Sequence, residues 1–274
     1  MKRLARQLLP PLVADWLHRM RHGRAPQTEP ITFSGNYPGW PEAMRDSTGY
    51  DSPVILERTR DALRKVKNGE AVFERDSVLL PEPEWPLPLL VGLLRAAVEK
   101  PAGLHVLDFG GSLGSSYFQC RPFLDPLPGL RWSVVEQPDH VACGQREFAD
   151  DRLQFFTSIE DCLATGRPDV LVLSSVVQYL PAPHEFLARI VAHRFDWIVA
   201  DRTPFHDGPR DRLTVQRVPE AIYPAAYPAW FFAEGTWRKH FEPGYRCLAT
   251  CPALDRPELP DGRAWSRALI YRRQ

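Results

Sequence analysis

The sequence has no surplus of either charge: 34 Lys and Arg balance 34 Asp and Glu over 274 residues. A duplex nucleic-acid binder replaces counterions with a basic surplus, so no nucleic-acid partner is expected. Cysteine is scarce. Cys120, Cys143, Cys162, Cys247 and Cys251 are odd in number, and no pair has C-x-x-C spacing. That argues against a disulfide framework and against a zinc ribbon. Cys247 and Cys251 have metal-like spacing but no His beside them, so no metal site is expected. The thiols read as those of a protein in a reducing, cytoplasmic setting. No run of 18 apolar residues occurs, so no transmembrane helix is expected. Also missing are G-x-G-x-x-G, G-x-x-x-x-G-K-[ST] and a Tyr-x-x-x-Lys pair. These absences weigh against dinucleotide, P-loop and short-chain dehydrogenase sites.

What is present is ordinary globular composition, 44% hydrophobic and 25% charged, enough for a sizeable core. Residues 1–24 stand apart. Lys2, Arg3, Arg6, Arg19, Arg21 and Arg24 surround Leu4, Leu8, Leu9, Leu12, Val13, Trp16 and Leu17. Pro10 and Pro11 interrupt the apolar run and no small-residue cleavage site follows, so this is not a secretory signal. A basic segment bearing Trp can lie peripherally on an anionic membrane, here the inner membrane surface. The alternative is a terminal helix that packs or frays.

Residues 25–53 carry Phe33, Tyr37, Trp40 and Tyr50 and read as a loop ordered by packing. Helices follow over 54–68 and from about Pro88 to Glu99. From residue 104 short apolar runs alternate with helical stretches. The strands are expected at Leu104 to Phe109, Trp132 to Glu136, Leu153 to Phe156, Val170 to Ser174 and Trp197 to Ala200. Continuous Val, Leu and Ile runs with helical crossovers predict a parallel sheet buried on both faces. An irregular insertion is expected over about 203–233, then a helix at Glu234 to Phe241. Two late strands, Tyr245 to Thr250 and Arg267 to Tyr271, read as a hairpin. Five parallel strands and a terminal hairpin make the order of a class I methyltransferase.

The strongest local signal is Val106-Leu107-Asp108-Phe109-Gly110-Gly111-Ser112-Leu113-Gly114. An apolar strand ends in an acid, and a glycine-rich turn then opens a helix. Glycines let a backbone approach a ligand, and a helix N-terminus offers free N–H groups. An acid here would repel a pyrophosphate but suits S-adenosylmethionine (SAM), whose methionine part carries an ammonium. Glu136 ends the next strand and can accept both ribose hydroxyls of an adenosine, in SAM or in NAD. Thr157, Ser158 and Ile159 follow the third strand and would border the adenine. Ser174 ends the fourth strand, and Asp201 and His206 follow the fifth. Ligands of open α/β sheets bind beyond these strand ends. Methyl transfer needs orientation and, for weak nucleophiles, a base. Asp201 and His206 are the candidate bases. Arg212, Tyr223, Tyr227 and Trp230, in the insertion, are candidates for binding the acceptor.

Several stretches together resemble an uncharacterised family of bacterial SAM-dependent methyltransferases, often associated with surface-polysaccharide genes. They are Phe73 to Ser77 (FERDS), Val106 to Gln119, Val134 to Gln137, Ser174 to Leu180 (SSVVQYL), Asp201 to Phe205 (DRTPF), Arg212 to Gln216 and Ile222 to Trp230. The resemblance spans about residue 35 to the C-terminus. It implies the fold and the positions of the SAM site, and supplies no acceptor.

The expectation is therefore an α/β, Rossmann-like class I methyltransferase fold with a mostly parallel seven-stranded sheet and a helical N-terminal extension. Residues 1–24 form a basic segment, 25–100 the extension on the lid or acceptor side, and 101–274 the SAM-binding domain. SAM is the expected cofactor, and a hydroxyl or amine of a small-molecule, sugar or glycolipid-like compound the expected acceptor. Two readings compete: an NAD-dependent sugar oxidoreductase or epimerase, and a non-catalytic adaptor with the SAM fold.

Overall fold

The computed structural model describes residues 30–48 and 53–274. Residues 1–24, with their expected membrane contact, and Tyr50 lie outside the described residues. In chain order the elements begin with β1 (Thr32–Tyr37), α1 (Trp40–Arg45), α2 (Pro53–Lys67), β2 (Phe73–Arg75), β3 (Val78–Leu80) and α3 (Leu87–Glu99). The alternating core follows: β4 (His105–Phe109), α4 (Ser115–Leu124), β5 (Arg131–Val135), α5 (Pro138–Glu147), β6 (Leu153–Phe156), α6 (Ile159–Thr165), β7 (Val170–Ser174), α7 (Pro183–Ala192) and β8 (Trp197–His206). The chain closes with β9 (Arg212–Val218), β10 (Ala225–Ala233), α8 (Glu234–Phe241), β11 (Tyr245–Pro252) and β12 (Ala264–Arg273).

The apolar runs pair as a parallel sheet in the order β6, β5, β4, β7, β8. β12 lies antiparallel beside β8, and β11 lies antiparallel beside β12. These seven strands form the class I methyltransferase arrangement. Period-two alternation divides each run between two cores. Val106, Trp132, Val134, Val170, Val172, Trp197 and Val199 pack with Leu63 of α2, Leu89 and Leu93 of α3 and Cys120 of α4. Leu107, Val135, Leu171, Leu173, Ile198 and Ala200 pack on the opposite face with Phe186 and Leu187 of α7 and Trp237 of α8. Burial on both faces is why these strands read as continuous apolar runs. Residues 31–274 form one compact unit. Among the described residues no helix is long and apolar enough to cross a membrane.

Two expectations need correction. The insertion expected to be irregular over 203–233 is sheet: β8 runs on to His206, and β9 and β10 form an antiparallel pair. β10 joins β8 beyond the end of β7, at Phe232 and Ala233. The loop expected over 25–53 supplies β1, paired antiparallel with β9, and the short helix α1. Among the described residues the sheet thus has ten strands. Pro204 and Pro228 disguised these strands. A proline breaks a central strand but is tolerated where one edge is unpaired. Pro228 pairs only with Val215 of β9, and Pro204 only with Ser266 of β12. Thr214 and Gln216 also mislead, since both are polar and buried.

Candidate functional site

Strand alternation assembles the site. Val106, Val134, Val172 and Val199 all face the core that holds α4. One step of the pleat further on, toward the carboxyl ends, the same face carries Asp108, Glu136, Ser174 and Asp201. Ser174 is directly paired with Asp201. Asp108 and Asp201 both act on the buried Cys120 thiol of α4, adding to the upward push that burial gives it.

The turn after β4 fixes the approach to Asp108. Gly110 has φ of 70°, and its N–H donates to the Val135 carbonyl at 2.9 Å. A β-carbon there would overlap Val176, and one on Gly111 would stand 2.5 Å from Asp108 Oδ2. The backbone therefore passes directly over the carboxylate. Gly114 caps α4 in the left-handed region. Asp108 is 1% exposed. Its Oδ2 accepts from Trp132 Nε1 at 3.2 Å, and its Oδ1 has no donor. Burial pushes this carboxyl up to about 7, against the Trp132 bond. Glu136, half-buried, accepts from the Ser112 N–H at 3.1 Å and the Gln137 N–H at 2.7 Å. Two backbone donors thus hold it against the glycine turn.

A second polar group lies in the middle of β8 and just beyond β7. Asp201 is buried, and its Oδ1 accepts from the Arg202 N–H at 2.8 Å. Burial pushes it up to about 6, and Arg202 opposes the shift. Arg202 does not pair with the Asp201 side chain. Its guanidinium grips both carboxylate oxygens of Asp76, in the β2–β3 turn, and donates from Nε to Asp255 at 2.7 Å. Gln178 is buried. It donates from Nε2 to Ser175 Oγ at 3.0 Å and to the Arg202 carbonyl at 3.4 Å, while its Oε1 has no donor.

The other expected site residues fall in different places. Ser158 Oγ caps α6 by accepting from the Asp161 N–H at 3.0 Å. Ile159 is buried in the α7-side core. Tyr223 and Tyr227 do come together: their hydroxyls are 3.4 Å apart, Gln216 Nε2 donates to Tyr227 at 3.1 Å, and Tyr179 donates to Gln216 Oε1 at 3.0 Å. Burial raises the Tyr179 and Tyr223 phenols, so both stay neutral.

Three residues stand outside these groups. Trp230 donates to the Leu180 carbonyl at 3.1 Å and braces the segment after β7. Arg212 ties β1 to the late loop, donating to the Gly35 carbonyl at 2.8 and 3.0 Å and to Asp261 at 2.6 Å. His206 lies five residues beyond Asp201 on β8, roughly 16 Å along an extended strand. It belongs to a turn: Nε2 contacts the Arg210 carbonyl at 2.8 Å, and the Gly208 N–H donates to Nδ1 at 3.2 Å. In this structure Arg212 and His206 thus hold partners within the protein. Sequence reasoning missed Glu74 as a neighbour of the site. The signal was there in Phe73 to Ser77, too polar for its surroundings.

No protein-family model and no curated protein matches the sequence. Solved structures match it in fold. The N-terminal domain of EvdMO1 in the presence of SAH and D-fucose is 14% identical over 81% of this chain and 100% of that one, with a TM-score of 0.50. The same domain with SAH bound is 13% identical over 78% and 97%, also at 0.50. The magnesium protoporphyrin IX methyltransferase ChlM from Synechocystis PCC 6803, with bound SAH, is 18% identical over 69% and 82%, at 0.44. At these identities the likeness is one of fold.

Proposed function

We propose that this chain is a SAM-dependent methyltransferase acting on a hydroxyl or amine of a small-molecule acceptor. The observation that carries the reading is Asp108 Oδ1, buried without a donor beneath a glycine turn that leaves no room for side chains. A buried carboxylate oxygen left unpaired is costly. A ligand that brings N–H donors removes the cost, and the ammonium of SAM does so. A pyrophosphate brings only negative charge, which argues against NAD. Glu136, fixed by two backbone N–H groups, keeps lone pairs for the ribose hydroxyls. Ser158 and Ile159, at the start of α6, and Ser174, at the end of β7, follow carboxyl ends of the sheet and would border the remaining crevice.

When bound, SAM would supply a methyl group already activated on a sulfonium, and the chain would have to orient the acceptor and take the proton that its oxygen or nitrogen loses. Asp201 is our candidate base. With its carboxyl near 6, it is mostly ionised at neutral pH and still basic enough to take a proton. His206 has no part in this reading. Tyr223 and Tyr227 wall the acceptor side with their rings, since their hydroxyls are bonded within the protein. The D-fucose named with the EvdMO1 domain, and the resemblance to a family associated with polysaccharide genes, both favour a sugar or glycolipid-like acceptor.

Thermal-shift titration with SAM, S-adenosylhomocysteine, NAD and NADP tests the cofactor. A ligand that binds only the folded state raises the melting temperature. S-adenosylhomocysteine is expected to do so and NAD is not, and the reverse result overturns the proposal. Transfer of a labelled methyl group to a panel of hydroxylated sugars and amines then tests the acceptor class.

A further inference from the structure

The β2–β3 hairpin is a strained element held in place from several sides. Its loop is only Asp76 and Ser77, at φ of 52° and 69°. Two-residue loops favour this left-handed geometry, with Asn, Asp or Gly first and usually Gly second. Here Ser77 takes the second position, and the surroundings hold it there. The Ser77 N–H donates to Glu74 Oε1 at 2.7 Å, and Ser77 Oγ lies 2.7 Å from Thr59 Oγ1 of α2. Gln119 Nε2 of α4 donates to the Glu74 carbonyl at 2.7 Å, and Arg202 clamps Asp76. Strain that its surroundings over-determine points to function.

The group so held is Glu74. It is 2% exposed. The Ser115 side chain, on the first residue of α4 after the glycine turn, favours the charged form of Glu74, whose Oε2 has no donor. Burial nonetheless pushes this carboxyl up to about 7, against the Ser77 N–H bond and the Ser115 side chain. Asp108 Oδ1 is in the same condition. The two unpaired acceptors flank one turn, Asp108 beneath Gly111 and Glu74 beside Ser115.

We propose that Glu74 is a second carboxylate for the methionine end of the cofactor, with Oε2 accepting from the ammonium, and that the Arg202–Asp76 pair is the latch that positions it. This rests on the cofactor reading above. An ammonium has three N–H donors, and Asp108 Oδ1 and Glu74 Oε2 accept two of them. A neutral hydroxyl or amide supplies fewer donors and no charge, so the pair selects for the amino-acid end of the ligand.

The test is isothermal titration of the full chain with two ligands. S-adenosylhomocysteine carries the ammonium. 5′-Methylthioadenosine keeps the adenosine and the sulfur but lacks the amino-acid end. Glu74→Gln keeps the shape of the side chain and an oxygen for the Ser77 N–H. It should weaken S-adenosylhomocysteine roughly tenfold or more, the scale of a hydrogen bond to a charged group, and leave methylthioadenosine unchanged. Asp76→Asn opens the latch without touching Glu74 and should give a smaller loss with the same selectivity. It carries the test if Glu74→Gln does not fold. Equal weakening of both ligands marks a merely structural hairpin and overturns the proposal, as does unchanged S-adenosylhomocysteine affinity. If the unmutated chain binds neither ligand, the cofactor reading itself falls, and the Glu74 proposal falls with it.

Discussion

Two sets of buried polar side chains beyond the strand ends are built on opposite plans. Around the glycine turn, Asp108 Oδ1 and Glu74 Oε2 both lack a donor. In the aromatic group, Tyr179 donates to Gln216, Gln216 donates to Tyr227, and Tyr223 lies beside Tyr227. An unmatched buried acceptor costs free energy until a ligand supplies the missing donor, whereas a matched network is content without one. The first set is therefore incomplete by itself, and what would complete it is a cation rich in N–H groups. The second set is a finished wall. On the proposed reading it walls the space beside the site without displaying an acceptor's hydrogen-bonding pattern, so that reading reaches a cofactor class and no particular acceptor.

The largest expected effect attacks the unmatched set. Gly111→Val should abolish S-adenosylhomocysteine binding, because its β-carbon would stand 2.5 Å from Asp108 Oδ2. Gly110→Val is a blunter probe. It needs a side chain at φ of 70° and overlaps Val176, so it should lower the melting temperature as well. Calorimetric titration together with circular dichroism separates the two. A folded Gly111→Val variant with normal affinity would falsify the assignment of this turn to the cofactor.

Next in size is a pH effect. The folded protein raises Asp108 and Glu74 to about 7 and Asp201 to about 6. In the unfolded chain these carboxyls titrate near 4. Between those limits the folded state holds more protons, so stability is fullest below about pH 4 and declines as pH rises to about 7. As far as these three groups govern it, the unliganded protein should melt at a higher temperature at pH 5 than at pH 8. Saturating S-adenosylhomocysteine should narrow the gap, since an ammonium beside Asp108 and Glu74 favours their ionised forms. A gap that ligand leaves unchanged would mean that the unmatched carboxyls do not meet it.

Glu136→Ala should weaken S-adenosylhomocysteine by about 1–3 kcal/mol, the loss of a charged acceptor for hydroxyls. Unchanged affinity in a folded variant removes Glu136 from the site. Part of any stability loss would come from the turn, since Glu136 also holds the Ser112 N–H.

The same contrast governs what the sequence could reveal. β4 to β8 were legible because burial on both faces leaves continuous apolar runs, and Asp108, Glu136, Ser174 and Asp201 because they end those runs. β9 and β10 were not, because β9 buries the polar Thr214 and Gln216 and β10 carries Pro228, paired on one side only. Their partner β1 comes from residues 32–37, far away in the chain. Glu74 was hidden for a related reason. Its role depends on a hairpin folded against α4 and latched by Arg202, a contact across 126 residues. The carbonyl partners of Arg212 and His206 were not legible, because a polar residue does not announce in sequence whether it will meet a ligand or a neighbouring carbonyl.

The smallest expected effect tests the finished wall. Tyr223 reaches Tyr227 at 3.4 Å, the longest link in the group, while Tyr227 keeps its bond from Gln216 Nε2 at 3.1 Å. Removing the Tyr223 hydroxyl therefore leaves no partner without a bond. Tyr223→Phe should change stability by less than about 1 kcal/mol, the net worth of one ordinary hydrogen bond, and should leave S-adenosylhomocysteine affinity untouched. Tyr227→Ala removes a whole ring from the wall, so it should impair methyl transfer while sparing cofactor binding. Thermal melts, titration and turnover on both variants decide the matter. Should Tyr223→Phe weaken the cofactor, the two sets are one site, and the contrast between them fails. Should it sharply reduce turnover with intact cofactor binding, the phenol touches the acceptor directly, and the wall is itself part of the recognition surface.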